Sequence, residues 1–521
     1  MTTKHTPSPK NQNMDVSDRL FHSLDIESKG YIVKHDLEQA LLDRGILFDD
    51  MRIRQTAQGL KELKEKERIN ATAFRALISP HITLIEKALT GNLVIPDFKN
   101  FVSFITNLYN RTLQNEEGKV SDYIPELAHI DPKNYALSVC TVDGQRFNIG
   151  NYNKAYLARG TAKPLNYCLA FDEYDEQAIH GRVGRAPKEK GFDYLMLNGQ
   201  GLPHNPFTGS GALMIGSMLF PKLKPAARFE KVKKIWREMA GGIVSEWSEN
   251  AFASEKRIAD SDRALAYFMQ QKGLFPKGSN VNAHLEFLWQ CFAIETTTEA
   301  QAVIAATLAN AGVCPTSEQE VLKPAVAKHC LSIMALAGMN EYSSEYSFSI
   351  GLPAVSGTSG TVMIVVPDVM GITIWSPRID ENGNSIKGLD FSHKLTERFN
   401  FHTFDSAIKN VHKVDPRLKK NETKMKGVMA VTSAASIGDL DELQRLYSAG
   451  IDLNEGEYDK RTGIHLAASE GHLDAVKFFI EKNVDINPKD RWSGTPLADA
   501  KREGHKQVLE LLKKHGGTEK A

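Results

Sequence analysis

The chain has 521 residues, too many for one ordinary hydrophobic core, so about two to four domains are expected. Lys and Arg together number 64 and Asp and Glu also 64, a formal net charge of zero. With no Lys/Arg run either, the composition lacks the footprint of a nucleic-acid or anionic-membrane binder and points to small molecules and proteins as partners. The five cysteines, Cys140, Cys168, Cys291, Cys314 and Cys330, are odd in number and never spaced C-x-x-C, which argues against a disulfide framework and a zinc site and implies a reducing interior.

No stretch approaches the roughly 18 apolar residues of a membrane span, and the opening residues carry neither a signal-peptide apolar core nor an Arg-rich amphipathic helix. Cytoplasmic residence is the expectation, with a mitochondrial one as the alternative if a targeting segment is missed. Residues 1–15 read as a solvated, disordered tail. From Val16 apolar residues recur at helical spacing (Leu20, Phe21, Leu24; Leu37, Leu41, Leu42), which predicts an all-α domain over 16–115. Within it, Asp25 to Asp36 has the outline of an EF-hand loop, with an acid first, Gly30 at position six and Ile32 at position eight. Lys29 at position five puts a cation in the ligand set, and Asp36 at twelve is too short for the bidentate reach of Glu, so a calcium-free EF-hand-like helix pair is expected.

Residues 120–408 form the largest block, mixing strand-like runs (Ala136 to Thr141, Thr361 to Val366, Ile372 to Trp375) with long helical ones, a two-layer α+β domain. The last two runs flank the turn Pro367 to Gly371 and are best paired as an antiparallel hairpin. A polar interval, 409–427, reads as a linker. Beyond it, over 428–517, Gly438, Gly471 and Gly504 recur at intervals of 33, as do Ala434, Ala467 and Ala500, with Thr462-Gly463-Ile464-His465-Leu466-Ala467 and Thr495-Pro496-Leu497-Ala498 as fuller signatures. This is the ankyrin-repeat period, and it predicts a short stack of helix pairs that either caps the central domain or offers a surface to a protein partner.

In the central block, Tyr123-Ile124-Pro125-Glu126-Leu127-Ala128, Cys140-Thr141-Val142-Asp143-Gly144-Gln145-Arg146, Lys163-Pro164-Leu165-Asn166-Tyr167, Pro203-His204-Asn205-Pro206, Ala305 to Asn310, Gly351 to Ala354 and Gly383 to Gly388 occur in the order and spacing of the serine-dependent glutaminases. The chain resembles the long members of that family, which carry an EF-hand-like domain before the glutaminase domain and ankyrin repeats after it. The resemblance implies a multi-domain α+β architecture around a β-lactamase/transpeptidase-like centre. For an ordinary member it also implies hydrolysis of L-glutamine to L-glutamate and ammonia.

The family's mechanism uses Ser-x-x-Lys at the start of a helix, where the i, i+3 spacing puts hydroxyl and amine on one face. Here the matching window is Gly160-Thr161-Ala162-Lys163, in which the lysine stands and the nucleophile position is glycine. Thr161, two residues from Lys163, points about 200° round a helix from it. Of the family's site residues, Tyr123 and Lys163 (catalytic) and Glu255, which by resemblance binds the substrate's amino group, all match. Other substrate positions read Gly209, Ala264, Leu288, Asn340 and Thr358, with Val355 in place of a lysine and the Glu-Pro-Ser-Gly segment rewritten as Ala186-Pro187-Lys188-Glu189. Each hydrogen bond lost to a zwitterionic ligand costs about 1–3 kcal/mol, so several exceed the roughly 4 kcal/mol of millimolar glutamine binding.

His204, His284, His329, His393 and His402 form no i, i+4 pair, and Ser356-Gly357-Thr358-Ser359-Gly360 is followed by no Gly-Lys-Ser/Thr, so neither a metal nor another cofactor is expected. The sequence therefore predicts a glutaminase-family protein with a degenerate site, regulatory or structural through contacts with its own kind, with an active glutaminase, or with an ankyrin partner. The competing expectation is a working amidohydrolase in which Thr161, Thr208, Ser210, Tyr342 or Ser356 replaces the missing serine. The resemblance also implies that the segment Leu195 to Leu202, which keeps its apolar face here, lies beside the site and near an oligomer contact.

Overall fold

A computed structural model describes residues 15–187, 197–276, 278–407, 413–418, 420–448 and 451–519. The chain divides into two compact units, 1–397 with 401–406, and 398–400 with 407–521. The tail before residue 15, Leu195 and Met196 of the candidate oligomer segment, and Lys188 and Glu189 of the rewritten segment lie outside the described residues.

The first unit begins with paired helix-loop-helix elements. Helices Val16–Leu24 and Lys34–Leu42 flank the first loop and Arg54–Glu62 and Ala71–Ile78 the second. The loops join through a short antiparallel pairing, Ile32 opposite Ile69 and Val33 opposite Arg68. Leu20, Phe21, Leu37, Leu41, Phe74 and Ile78 fill the core, as their helical spacing requires, together with Ile32 from the strand pairing. The acids of the calcium-like loop are engaged with the chain itself. Asp25 accepts from the amides of Lys29 (2.8 Å) and Gly30 (2.7 Å), the Lys29 ammonium pairs with Glu27, and Asp36 accepts from the Val33 amide (2.8 Å) as it caps the next helix.

The central domain is built on five antiparallel strands: β1 (Ala136–Thr141), β2 (Arg146–Gly150), β3 (Ala354–Gly357), β4 (Thr361–Val366) and β5 (Met370–Trp375), in spatial order β2-β1-β5-β4-β3. β1, β4 and β5 are buried at every residue, which accounts for their apolar runs. The expected hairpin is β4–β5, with Val366 opposite Met370. Its second strand starts at Met370, two residues before the Ile372 start read from the sequence, because Gly371 sits where a side chain would strike the covering helix: a Cβ there would lie 2.5 Å from both the Ala302 carbonyl and Ala305 Cβ. The helices that matter for the site are α1 (Ala162–Ala170), α2 (Gly209–Met218), α3 (Glu249–Ile258), α4 (Val281–Phe292) and α5 (Thr298–Ala309), which is buried at every residue but Glu299.

The β1–β2 turn, part of the Cys140 to Arg146 motif, receives the N-terminal domain. The Gln145 amide accepts from Ile95 N (3.1 Å) and donates to the carbonyls of Ile95 (3.1 Å) and Arg44 (2.9 Å). Asp143 accepts from Val94 N (2.5 Å), its carbonyl accepts from Arg52 (2.9 Å), and the buried Arg146 guanidinium pairs with Asp49 and Glu299.

In the second unit, a helix over Lys420–Ile437 begins inside the interval read as a linker, and the 33-residue period that follows has a physical basis. His472 Nε2 donates to the Ser436 carbonyl (2.9 Å) and the ring packs over Gly438, and His505 repeats this at Ser469 (3.0 Å) and Gly471. Gly438 and Gly471 hold left-handed backbones (φ +72° and +78°), and a Cβ on either would meet the imidazole of the next repeat within 2.7 Å.

Candidate active site

Gly160 lies in a single 3₁₀ turn, Arg159–Thr161, between the strand Tyr156–Leu157 and α1. The turn is pressed against the end of β3. A Cβ placed on Gly160 would lie 2.8 Å from Gly357 Cα and 3.1 Å from the Ser356 carbonyl carbon, and closer still to the Ser356 oxygen. Those atoms are backbone, held by the β3–β4 ladder and by the Ser356 amide donating to Gly338 O (3.0 Å). The position expected to carry a nucleophile thus has neither the hydroxyl nor the space for its carbon.

Lys163, in the first turn of α1, is half-buried and donates from Nζ to the Phe207 carbonyl at 2.7 Å. Thr161 is fully buried and its hydroxyl is spoken for: it donates to Ala158 O (2.8 Å) and accepts from Gln301, whose other amide atom accepts from Tyr156 OH (3.1 Å). It therefore faces α5. Ser210, in the first turn of α2, is buried, with its Oγ 3.3 Å from Thr208 Oγ1, the hydroxyl that caps α2 at Gly211 N (3.1 Å).

Tyr123, Glu255 and Thr358, three positions named from the sequence, are brought together by a residue that sequence reasoning missed. The Arg159 guanidinium is buried and forms a two-pronged ion pair with the Glu255 carboxylate on α3, Nη1 to Oε2 and Nη2 to Oε1 (3.3 Å). Its Nε donates to Thr358 Oγ1 at 2.9 Å. The Tyr123 ring lies 4.9 Å and the Phe292 ring 5.9 Å from its central carbon. Burial, then the Glu255 charge, pushes the Tyr123 phenol above its usual range, so Tyr123 is no base at neutral pH. Because Glu255 is only 3% exposed, removing either charge would strand the other at a cost of about 3–5 kcal/mol.

The remaining positions are engaged elsewhere or carry no polar side chain. Asn340 holds a left-handed backbone (φ +54°) and donates to the Asn382 carbonyl (3.0 Å), while Leu288 is buried in an apolar cluster with Leu213, Leu285 and Trp289. Ala264 is exposed, Gly209 opens α2, and Val355 is buried within β3. Of the other hydroxyls, Tyr342 is bonded to His393 (3.3 Å) and Ser356 donates to Gly383 O (3.3 Å). Among the described residues no group of three or more His, Cys, Asp or Glu side chains is arranged to hold a metal ion, and no helix is long and apolar enough to cross a membrane. The signal for Arg159 in the sequence is slight: one arginine after the apolar Tyr156-Leu157-Ala158, directly before Gly160.

Comparison with known proteins gives the glutaminase family model over residues 118–404, an EF-hand domain over 16–96 and three ankyrin repeats over 431–520. The rat mitochondrial protein named glutaminase liver isoform is 34% identical over 477 residues, 89% of this chain and 79% of its own length. A glutaminase of a Nostoc species is 32% identical over 302 residues, 58% of this chain and 89% of its own. In structure, the native form of Mglu superimposes with a TM-score of 0.56 at 22% identity, over 73% of this chain and 97% of that one, a likeness of fold.

Proposed function

The chain belongs to the glutaminase family, and from that premise we propose that it is a member without glutamine hydrolysis, acting in a regulatory or structural role through protein contacts. The observation that carries this reading is Gly160: the nucleophile of the family's Ser-x-x-Lys is missing and the β3 backbone occupies the space its side chain needs. The other substrate positions support it, since Leu288 is drawn into the core and Asn340 into a turn. The contacts are self-association or association with an active glutaminase, and display of the ankyrin stack to a protein partner. A mass no greater than one chain by light scattering, at micromolar protein alone and mixed with an active relative, would remove the first of these. The five free, buried thiols fit a reducing compartment, cytoplasm or mitochondrial interior, and cell fractionation decides between them.

The test of the central reading is ammonia and glutamate release from glutamine by the purified protein, expected at the blank rate. A burst of ammonia together with a covalent adduct to a glutamine-like electrophile would overturn it. The second reading, a rearranged amidohydrolase, is favoured at one residue: Ser210 follows by three positions the carbonyl that Lys163 Nζ contacts. Mapping of an adduct to Ser210 would establish that reading.

A further inference from the structure

We propose that the cation pocket of this site is permanently filled by the chain's own Arg159, and that the ligand class the pocket recognises, once emptied, is an alkylguanidinium. The proposal rests on the reading of this site given above for its meaning, and on geometry for its substance. A carboxylate with two free oxygens, flanked by aromatic faces and one hydroxyl acceptor, is the chemistry that selects a flat, delocalised cation. Glu255, Tyr123, Phe292 and Thr358 supply these parts, and Arg159 uses all of them.

Two features mark Arg159 as an occupant held in place. Its backbone is left-handed, φ +43°, a conformation that a residue with a Cβ adopts only where the surroundings impose it. Its guanidinium is almost wholly withdrawn from solvent, with the side chain 11% exposed and that of Glu255 4% exposed. An amino acid arriving from solution finds the counter-charge for its ammonium already taken. Displacing Arg159 breaks a buried ion pair, and a free ligand has to offset that cost before it binds. The occupant directly precedes Gly160, so the filled pocket and the missing nucleophile are adjacent positions of one turn.

Truncation of Arg159→Ala in the full chain removes the atoms of ethylguanidinium, which is therefore the probe. Calorimetric or saturation-transfer titration should show ethylguanidinium binding the variant about tenfold or more tightly than the wild type. Adding Glu255→Gln to the variant should abolish that binding. Equal binding by wild type and variant, or none by a folded variant, would overturn the proposal. Should Arg159→Ala fail to fold, the native protein still decides: arginine-directed phenylglyoxal, read by peptide mass mapping, should modify Arg159 about tenfold more slowly than the exposed Arg237, as local opening limits buried groups. Similar rates would show that the pocket stands open. Neither readout uses turnover, so glutamine hydrolysis by the wild type would defeat the proposed loss of activity without imitating either result.

Discussion

Restoring one atom group at residue 160 is the perturbation that separates a lost nucleophile from a closed site. Gly160→Ser places a Cβ 2.8 Å from Gly357 Cα, where carbon atoms ordinarily rest no closer than about 3.5–4.0 Å, so β3 must recede by roughly 1 Å. β3 is paired with β4 at four positions, Ala354 to Gly357 against Ile364 to Thr361, and cannot recede without loosening that ladder. Overpacking of this kind costs about 1–3 kcal/mol, and the stiffer unfolded chain returns about 0.4–1 kcal/mol. A net loss of roughly 1–2 kcal/mol lowers the melting midpoint of a unit this size by about 1–2 °C. Differential scanning at a fixed scan rate, with an ammonia assay alongside, should show the lower midpoint and no turnover, since Arg159 still holds Glu255. A Gly160→Ser protein that melts with the wild type, or that releases ammonia, would refute the reasoning.

Gln145→Ala removes three hydrogen bonds between the β1–β2 turn and the N-terminal domain and leaves their buried backbone partners unsatisfied, at about 1–3 kcal/mol. Limited trypsinolysis should release the N-terminal helices sooner, and an unchanged time course would count against the clasp. His284 has its imidazole pKa lowered to about 4 by burial and by the charge of Arg228. Its folded value lies below the ordinary 6.5, so the unfolded state takes up the proton first and stability falls as pH drops from about 6.5 towards about 4. The melting midpoint of His284→Leu should fall less over that interval than the wild type's. Calcium and a chelator should leave the midpoint unchanged, because Asp25 and Asp36 already serve the loop backbone; a calcium-dependent rise would show the loop can release them.

The sequence made the scaffold legible where a local rule and a global one agreed. The 33-residue period of Gly438, Gly471 and Gly504 announced the ankyrin stack, and two of the three glycines are the ones packed under a histidine of the next repeat. The turn Pro367 to Gly371 announced the β4–β5 hairpin, while the strand's true start at Met370 depended on α5 crossing over Gly371, a contact between segments far apart in sequence. At the site, motif position singled out Tyr123, Lys163, Gly160 and Glu255 as candidates. What Glu255 is paired with was hidden, because Arg159 matches no motif and its partners lie about a hundred and two hundred residues away on α3 and after β3.

Arg159 and Gly160, adjacent in one turn, are coupled through the partners they share. Without a Cβ at residue 160 the backbone of Ser356 and Gly357 can lie against the turn, and the residue that follows them, Thr358, is thereby set to accept from Arg159 Nε at 2.9 Å. The guanidinium is then fixed at three of its nitrogens, by Thr358 on one side and Glu255 on the other. A change at either residue strains these contacts: serine at 160 strikes β3 while Arg159 holds Thr358 in place, and truncation of Arg159 leaves Glu255 buried with no counter-charge. Neighbours that share partners in this way do not act additively. The stability cost of Gly160→Ser combined with Arg159→Ala should therefore differ from the sum of the two single costs.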